Sequence, residues 1–211
     1  MASADTRGRM TNPKKTTKKP AQRCWWCGED PIYVDYHDTE WGVPVHDDRH
    51  LFESLCLDGQ QAGLNWLMVL KKRDHYRKKF KNFDILAVSR MTDNTIEKLL
   101  LDKGLIRNRL KLYSIRSNAL ATLKVQEEFG SLDNYLWQFV NGQPIDGACK
   151  QPKDIPASNA LSDTVSKDLK KRGFKFVGTT IVYAFLQACG FINDHLSDCP
   201  RYENIRRLNR S

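Results

Sequence analysis

Near the C-terminal end of the chain, His195 and Cys199 stand four residues apart in Asn193-Asp194-His195-Leu196-Ser197-Asp198-Cys199. On a helix, positions i and i+4 share one face, so an imidazole and a thiolate at this spacing can grip one metal ion. Standing alone, such a pair more often serves core packing than a metal. A structural zinc site takes four ligands, and the other stretch rich in Cys and His lies far upstream, at Cys24, Cys27 and His37. That second cluster favours the metal. Chemistry alone leaves two upstream pairs open: Cys24-x-x-Cys27, with knuckle spacing, and Cys24 with His37, with twelve residues between them. Either would tie the beginning of the folded chain to its end.

Two further stretches carry chemistry. In Leu169 to Phe185, LKKRGFKFVGTTIVYAF, two helical segments are separated by a short turn with Gly173 and Gly178 at its edges. Amides at the start of the following helix point outward at its positive end, so a phosphate can dock there without sequence being read. Lys170, Lys171, Arg172 and Lys175 add a local basic patch. Taken alone, such a turn is also a common way to pack two helices. In Cys56 to Trp66, CLDGQQAGLNW, an acid, two glutamines, two glycines and an indole follow an apolar helix. A base drawn out of a duplex needs a stacking partner and hydrogen-bonding groups at its edge, and Trp66 with Asp58 supplies both. The alternative is a polar interhelical loop beside a core Trp.

Elements must position these residues, and composition limits which. The 211 residues suit one domain, or one domain of two lobes. No apolar run approaches the roughly 18 residues of a membrane span, and the N-terminus lacks a signal peptide's apolar region, so a soluble, intracellular protein is expected. Six cysteines, two of them in C-x-x-C, suit a reduced compartment with a metal better than a disulfide scaffold. The net charge of +9 is carried by the ends: residues 1–23 hold +6 and residues 201–211 hold +3. The part between is neutral, so any nucleic-acid surface on it must be a local patch.

Residues 1–22 read as a disordered basic arm, 23–200 as the folded domain and 201–211 as a basic tail. Beyond the aromatic segment RCWWCGEDPIYVDYHDTEWGVP the pattern is helical almost throughout. Asp47 or Asp48 caps a helix that the CLDGQQAG segment ends, Asn65 opens another, and Asp84 and Thr92 open two short ones. Asn108 to Phe129 is a long helix stopped by Gly130, and Ser131 caps the next. Asn141 to Ala157 reads as a loop; Ser158 restarts a helix, and the last runs from about Thr179 to Cys189. No strand is expected. The fold class is all-α.

These stretches together resemble the 3-methyladenine DNA glycosylase I family, bacterial base-excision enzymes of the helix-hairpin-helix superfamily. The resemblance rests on YHDTEWGVP, LDGQQAGLNW, FDILAVSRM, WQFVNGQP and KKRGFKFVGTTIVYAFLQACGFINDH, and covers Arg23 to about Cys199. It implies one domain of two helical lobes joined by a structural zinc ion on Cys24, His37, His195 and Cys199, with no ligand role for Cys27. It implies a pocket for the alkylated base at Trp26, Tyr33, Tyr36, Trp41 and Trp66, with Tyr36 and the acid at position 58 on the base edge. It implies DNA contacts at Gly173, Lys175, Gly178 and Thr179, and at Gly63 and Leu64 near the gap left by the flipped base. Asn193 stands near the place where other superfamily members carry an Asp, with Asp194 beside it.

The implied activity is hydrolysis of the N-glycosidic bond of N3-methyladenine in double-stranded DNA. Free 3-methyladenine is the product, and there is no strand-cleaving step. A cytoplasmic monomer associated with the nucleoid, and not with membrane, is the corresponding expectation. One departure matters: the family carries Glu where this chain has Asp58, which retracts the carboxylate by about 1.5 Å. Misplacements of about 1 Å can cost a hundredfold in rate. The alternative is therefore a zinc-stabilised DNA-binding protein of the same fold with reduced or lost catalysis.

Overall fold

Side-chain caps set the start of most helices in the computed structural model, which describes residues 22–208. The expectation of a basic arm falls almost wholly on residues outside that range. Asp30 accepts from the Ile32 amide to open α1 (Pro31–Thr39), and Asp47 accepts from His50 to open α2 (Asp48–Gln61). Asn65 opens α3 (Trp66–Leu70), and α4 (Arg73–Lys79) follows directly. Asp84 opens α5 (Ile85–Ser89), Thr92 opens α6 (Asp93–Leu99), and Asn108 opens α7 (Arg109–Phe129), which Gly130 stops at φ +83°. Ser131 opens α8 (Leu132–Trp137). Each such cap contributes about 1 kcal/mol by satisfying an amide the helix leaves free.

The segment expected to be a loop holds a two-residue strand, β1 (Ile145–Asp146). Asn159, rather than Ser158, then caps α9 (Ala160–Lys171). α10 (Thr179–Ala188) begins directly after Gly178, and β2 (Ile192–Asn193) pairs in parallel with β1. So short a pair has no two-residue periodicity to betray it. The chain from residue 201, expected as a tail, is instead part of α11 (Pro200–Leu208), with Tyr202 and Ile205 buried. Its charges lie on the outer face of an amphipathic helix.

The fold packs α2 against α7, with α5 and α8 also against α7 and α9 against α10. Phe52, Tyr76, Phe80, Phe83, Tyr135 and Phe185 fill its core. A smaller aromatic cluster of Tyr36, Trp41, Trp26, Tyr33 and Trp66 joins the N-terminal segment to α3. Gly190 permits a close backbone approach: at φ +75° it lets the end of α10 lie against the Val43–Pro44 backbone, where any Cβ would collide. Among the described residues, no helix is long and apolar enough to cross a membrane.

Candidate active site and metal centre

Cys24, His37, His195 and Cys199 converge although the chain reaches them from opposite ends. Cys24 precedes the short turn Trp25–Cys27, His37 lies on α1, and the other two flank a turn between β2 and α11. The spacing suggested a helical H-x-x-x-C face; the residues between His195 and Cys199 are not helical. A turn folds the pair back instead, with the Cys199 amide donating to the Leu196 carbonyl at 2.8 Å.

All four residues are buried, and their ligand atoms lie within 4.8 Å of one another, a group that could hold a metal ion. Sγ of Cys24 is 3.6 Å from His195 Nδ1, and Sγ of Cys199 is 3.6 Å from His37 Nε2 and 3.7 Å from His195 Nδ1. The outer nitrogens are occupied: His37 Nδ1 donates to Asp38 Oδ1 at 2.8 Å, and His195 Nε2 to the Trp41 carbonyl at 3.0 Å. Those bonds fix the tautomers and turn both free lone pairs inward, as metal-ligating imidazoles require. Arg23 grips Asp38 from outside, holding its carboxyl down to about 2. The neighbouring Cys24 thiol draws the Cys199 thiol well below its ordinary range. Cys27 points elsewhere, its thiol donating to the Cys24 carbonyl.

The Cys/His cluster packs against two of the rings that line a cavity. Trp26 lies edge-on to His37 with centroids 5.2 Å apart, and Trp41 edge-on to His195 at 4.6 Å. Trp26, Tyr33, Tyr36, Trp41 and Trp66 then line a space of about 200 Å³. Trp26 meets Trp41 at 4.8 Å, and Tyr36 meets Trp66 at 5.6 Å. All five residues expected around the base therefore share one chamber, and Asp58 opens into it as well.

Asp58 does not lie in a turn. α2 runs on through Gln61, and Gly59 within it is a packing position: a Cβ there would sit 3.1 Å from that of Phe176. The Lys111 ammonium closes the helix end by donating to the carbonyls of Gln60 at 2.8 Å and Ala62 at 2.6 Å. Asp58 is 3 % exposed, its Oδ2 is buried with no hydrogen-bond partner, and burial pushes its carboxyl well above the usual range. The Trp66 indole N–H is likewise buried and unpaired. Burial, and then the neighbouring Asp58, raise the Tyr36 hydroxyl.

Gly173, Lys175, Gly178 and Thr179 sit together in the turn from α9 to α10, anchored beneath by buried Phe174 and Val177. Ser166 Oγ donates to the Val177 carbonyl at 2.6 Å, and Thr179 Oγ1 is tied to Ser162 Oγ at 2.8 Å. Asn118 of α7 clamps Lys175 through both its amide and its carbonyl, at 2.8 and 3.2 Å. Gly63, at φ +73°, and Leu64, 38 % exposed, form the tip of the turn between α2 and α3. Asn193 and Asp194 are buried and do not line the chamber.

Sequence reasoning overlooked Trp25, Gln61, Ile155, Ala184, Gln187 and Ala188, which also line it. The small residues Ala184 and Ala188, one turn apart on α10, were the available signal.

The methyladenine glycosylase family model matches residues 26–202. DNA-3-methyladenine glycosylase 1 of Escherichia coli is 49% identical over 181 residues, spanning 86% of this chain and 97% of that protein. A crystal structure of 3-methyladenine DNA glycosylase I superposes with a TM-score of 0.83 at 50% identity, covering 85% of this chain and 98% of the other. The Staphylococcus aureus enzyme, described for the structural basis of its 3-methyladenine recognition, superposes at 0.80 with 40% identity, covering 82% of this chain and 92% of its own. With its aromatic chamber, buried acid and glycine-edged turn, this chain belongs to the methyladenine glycosylase family.

Proposed function

We propose that the protein is a base-excision glycosylase that removes N3-methyladenine from alkylated DNA. The observation that carries this reading is the unpaired, buried Asp58 Oδ2 in a chamber lined by six aromatic residues. An unpaired acid in an apolar wall is costly, and a cationic purine is the ligand that would offset the cost. Ring faces favour a cation by roughly 0.5–2 kcal/mol per desolvated contact, which separates an N3-methylated base from neutral adenine. Asp58 meets the positive base edge, Tyr36 adds a hydroxyl beside it, and Trp66 provides a stacking face.

Once the nucleotide is extruded, the chemistry asks little of the protein. Methylation at N3 has made the base a good leaving group. The C1′–N9 bond breaks with its electron pair going to the base, water adds to C1′, and the water's second proton goes to solvent. Among the described residues no lysine lines the chamber, which supports excision without a Schiff base and hence without strand cleavage. The turn at Gly173–Thr179 presents the start of α10 and the Lys175 charge to a phosphate, while Gly63 and Leu64 occupy the gap in the duplex. The working form is taken to be a cytoplasmic monomer.

The metal fits as structural zinc. Zn–S bonds of about 2.3 Å and Zn–N bonds of about 2.0–2.1 Å at tetrahedral angles place sulfur and nitrogen about 3.6 Å apart. The three S···N separations of 3.6–3.7 Å match that distance. Four protein ligands leave no position for water, so the ion would join the chain ends and brace Trp26 and Trp41.

Release of 3-methyladenine from methylated duplex tests the function. Wild type and Asp58→Glu should release base, and Asp58→Asn should fall by about a hundredfold. If neither wild type nor Asp58→Glu releases base while both bind DNA, the protein is a non-catalytic DNA-binding member of the fold.

A further inference from the structure

We propose that Gln187 selects the base by the character of its edge: the side-chain amide oxygen accepts from the 6-amino group of methylated adenine and disfavours the 6-oxo group of methylated guanine. The proposal rests on the base-excision reading of the chamber and assigns a specificity role to a residue of its wall.

Gln187 lies on α10 and lines the chamber between Ala184 and Ala188. Its amide nitrogen donates to Asp194 Oδ2 at 2.7 Å. The same oxygen accepts from the Tyr183 hydroxyl at 2.6 Å, and the Cys149 thiol donates to Oδ1 at 3.5 Å. Asp194 is 2 % exposed and packed so closely against Gly147 that any side chain there would collide with it. A carboxylate only accepts, so turning the Gln187 amide over would set oxygen against oxygen in a buried place. The amide is therefore held in one orientation. Its nitrogen is committed to Asp194, and its oxygen is the group left for an occupant.

That polarity distinguishes the two purines. The same edge of adenine offers a 6-amino donor beside N7, whereas guanine offers O6 and N7, both acceptors. A fixed acceptor in the wall gains a hydrogen bond from adenine and leaves two acceptors facing each other with guanine. The Asp58 carboxylate can respond to charge, which both N3-methylated purines carry. Gln187 responds to the substituent. Asp194, buried outside the chamber, acts as the positioning residue that sets the amide.

The experiment uses one preparation of methylated duplex DNA containing both N3-methyladenine and N3-methylguanine, with the two release rates measured for wild type, Gln187→Met and Gln187→Leu. Wild type should favour adenine. Each variant should lower the adenine-to-guanine ratio by about tenfold, the effect of one buried hydrogen bond and its unpaired counterpart. General damage to the chamber would slow both releases alike and leave the ratio unchanged. A wild type without preference, or variants keeping the ratio within about twofold, overturns the role of Gln187 while leaving base excision intact. A wild type that releases neither base overturns the excision reading itself. Binding of free 3-methyladenine, read by tryptophan fluorescence, should weaken in both variants even where turnover is too slow to follow.

Discussion

Asp58 is where sequence and structure bear hardest on one another at the scale of a residue. Its position in LDGQQAGLNW marked it for the base edge, but nothing in the string indicated that its Oδ2 would be buried and unpaired. Burial raises its folded-state pKa above the unfolded value, so the folded protein holds the proton more tightly. This group's contribution to stability is then fully present below the unfolded pKa of about 3.9 and is lost as pH rises through the folded value. Urea unfolding of wild type and Asp58→Asn at pH 4, 6 and 8 should show wild type losing ground with rising pH, by about 1.4 kcal/mol for each unit of the raised pKa traversed. A difference that stays constant with pH would mean the carboxyl is not held up by burial. A substitution that eases folding while abolishing base release would be a stability cost retained for function.

At the scale of elements, the α9–α10 turn depends on α7. Asn118 holds both backbone groups of Lys175, so the amides at the start of α10 are presented by a clamp from 57 residues away. Two substitutions separate charge from shape. Lys175→Ala should weaken binding to undamaged duplex and lower the slope of log affinity against log salt by about 1. Asn118→Ala should leave that slope unchanged, weaken binding through a loosened turn, and cost about 1–3 kcal/mol. In a chain of this size that amounts to roughly 2–4 °C of melting temperature per kcal/mol. Equal salt slopes for wild type and Lys175→Ala would remove Lys175 from the phosphate contacts. The Gly-edged turn was legible because Gly173 and Gly178 bracket it; the clamp was not, because no local pattern announces a partner on a distant helix.

At the scale of the molecule, the Cys/His cluster and the aromatic chamber are in direct contact. His37 and His195 present their rings to Trp26 and Trp41, so whatever closes the four-ligand cluster also braces the aromatic pocket. Metal analysis should find one zinc ion per chain. Chelation should lower the melting temperature by many degrees, since structural zinc contributes on the order of 10 kcal/mol to folding. Affinity for free 3-methyladenine should fall with it. A calorimetric scan unaffected by chelation would end the structural-metal reading, and lost base affinity without lost stability would place the metal in the pocket's chemistry instead.

The sequence alone determined the helical class, because apolar spacing and Asp, Asn, Ser and Thr caps are local signals that act within one turn. It also offered the Cys and His residues, the aromatic rings and the glycine-edged turn as candidates, with the family resemblance choosing among them, since those chemistries can be met by few side chains. Tertiary structure decided the rest. It carried α2 through Asp58 and packed Gly59 against Phe176, and it drew His195 and Cys199 together by a turn rather than a helix. It paired β1 with β2 and folded residues 200–208 onto the domain. It set the Gln187 amide through Asp194. These features depend on contacts between segments far apart in the chain, where burial and close approach outweigh local preference, and such contacts leave no periodic trace in the string.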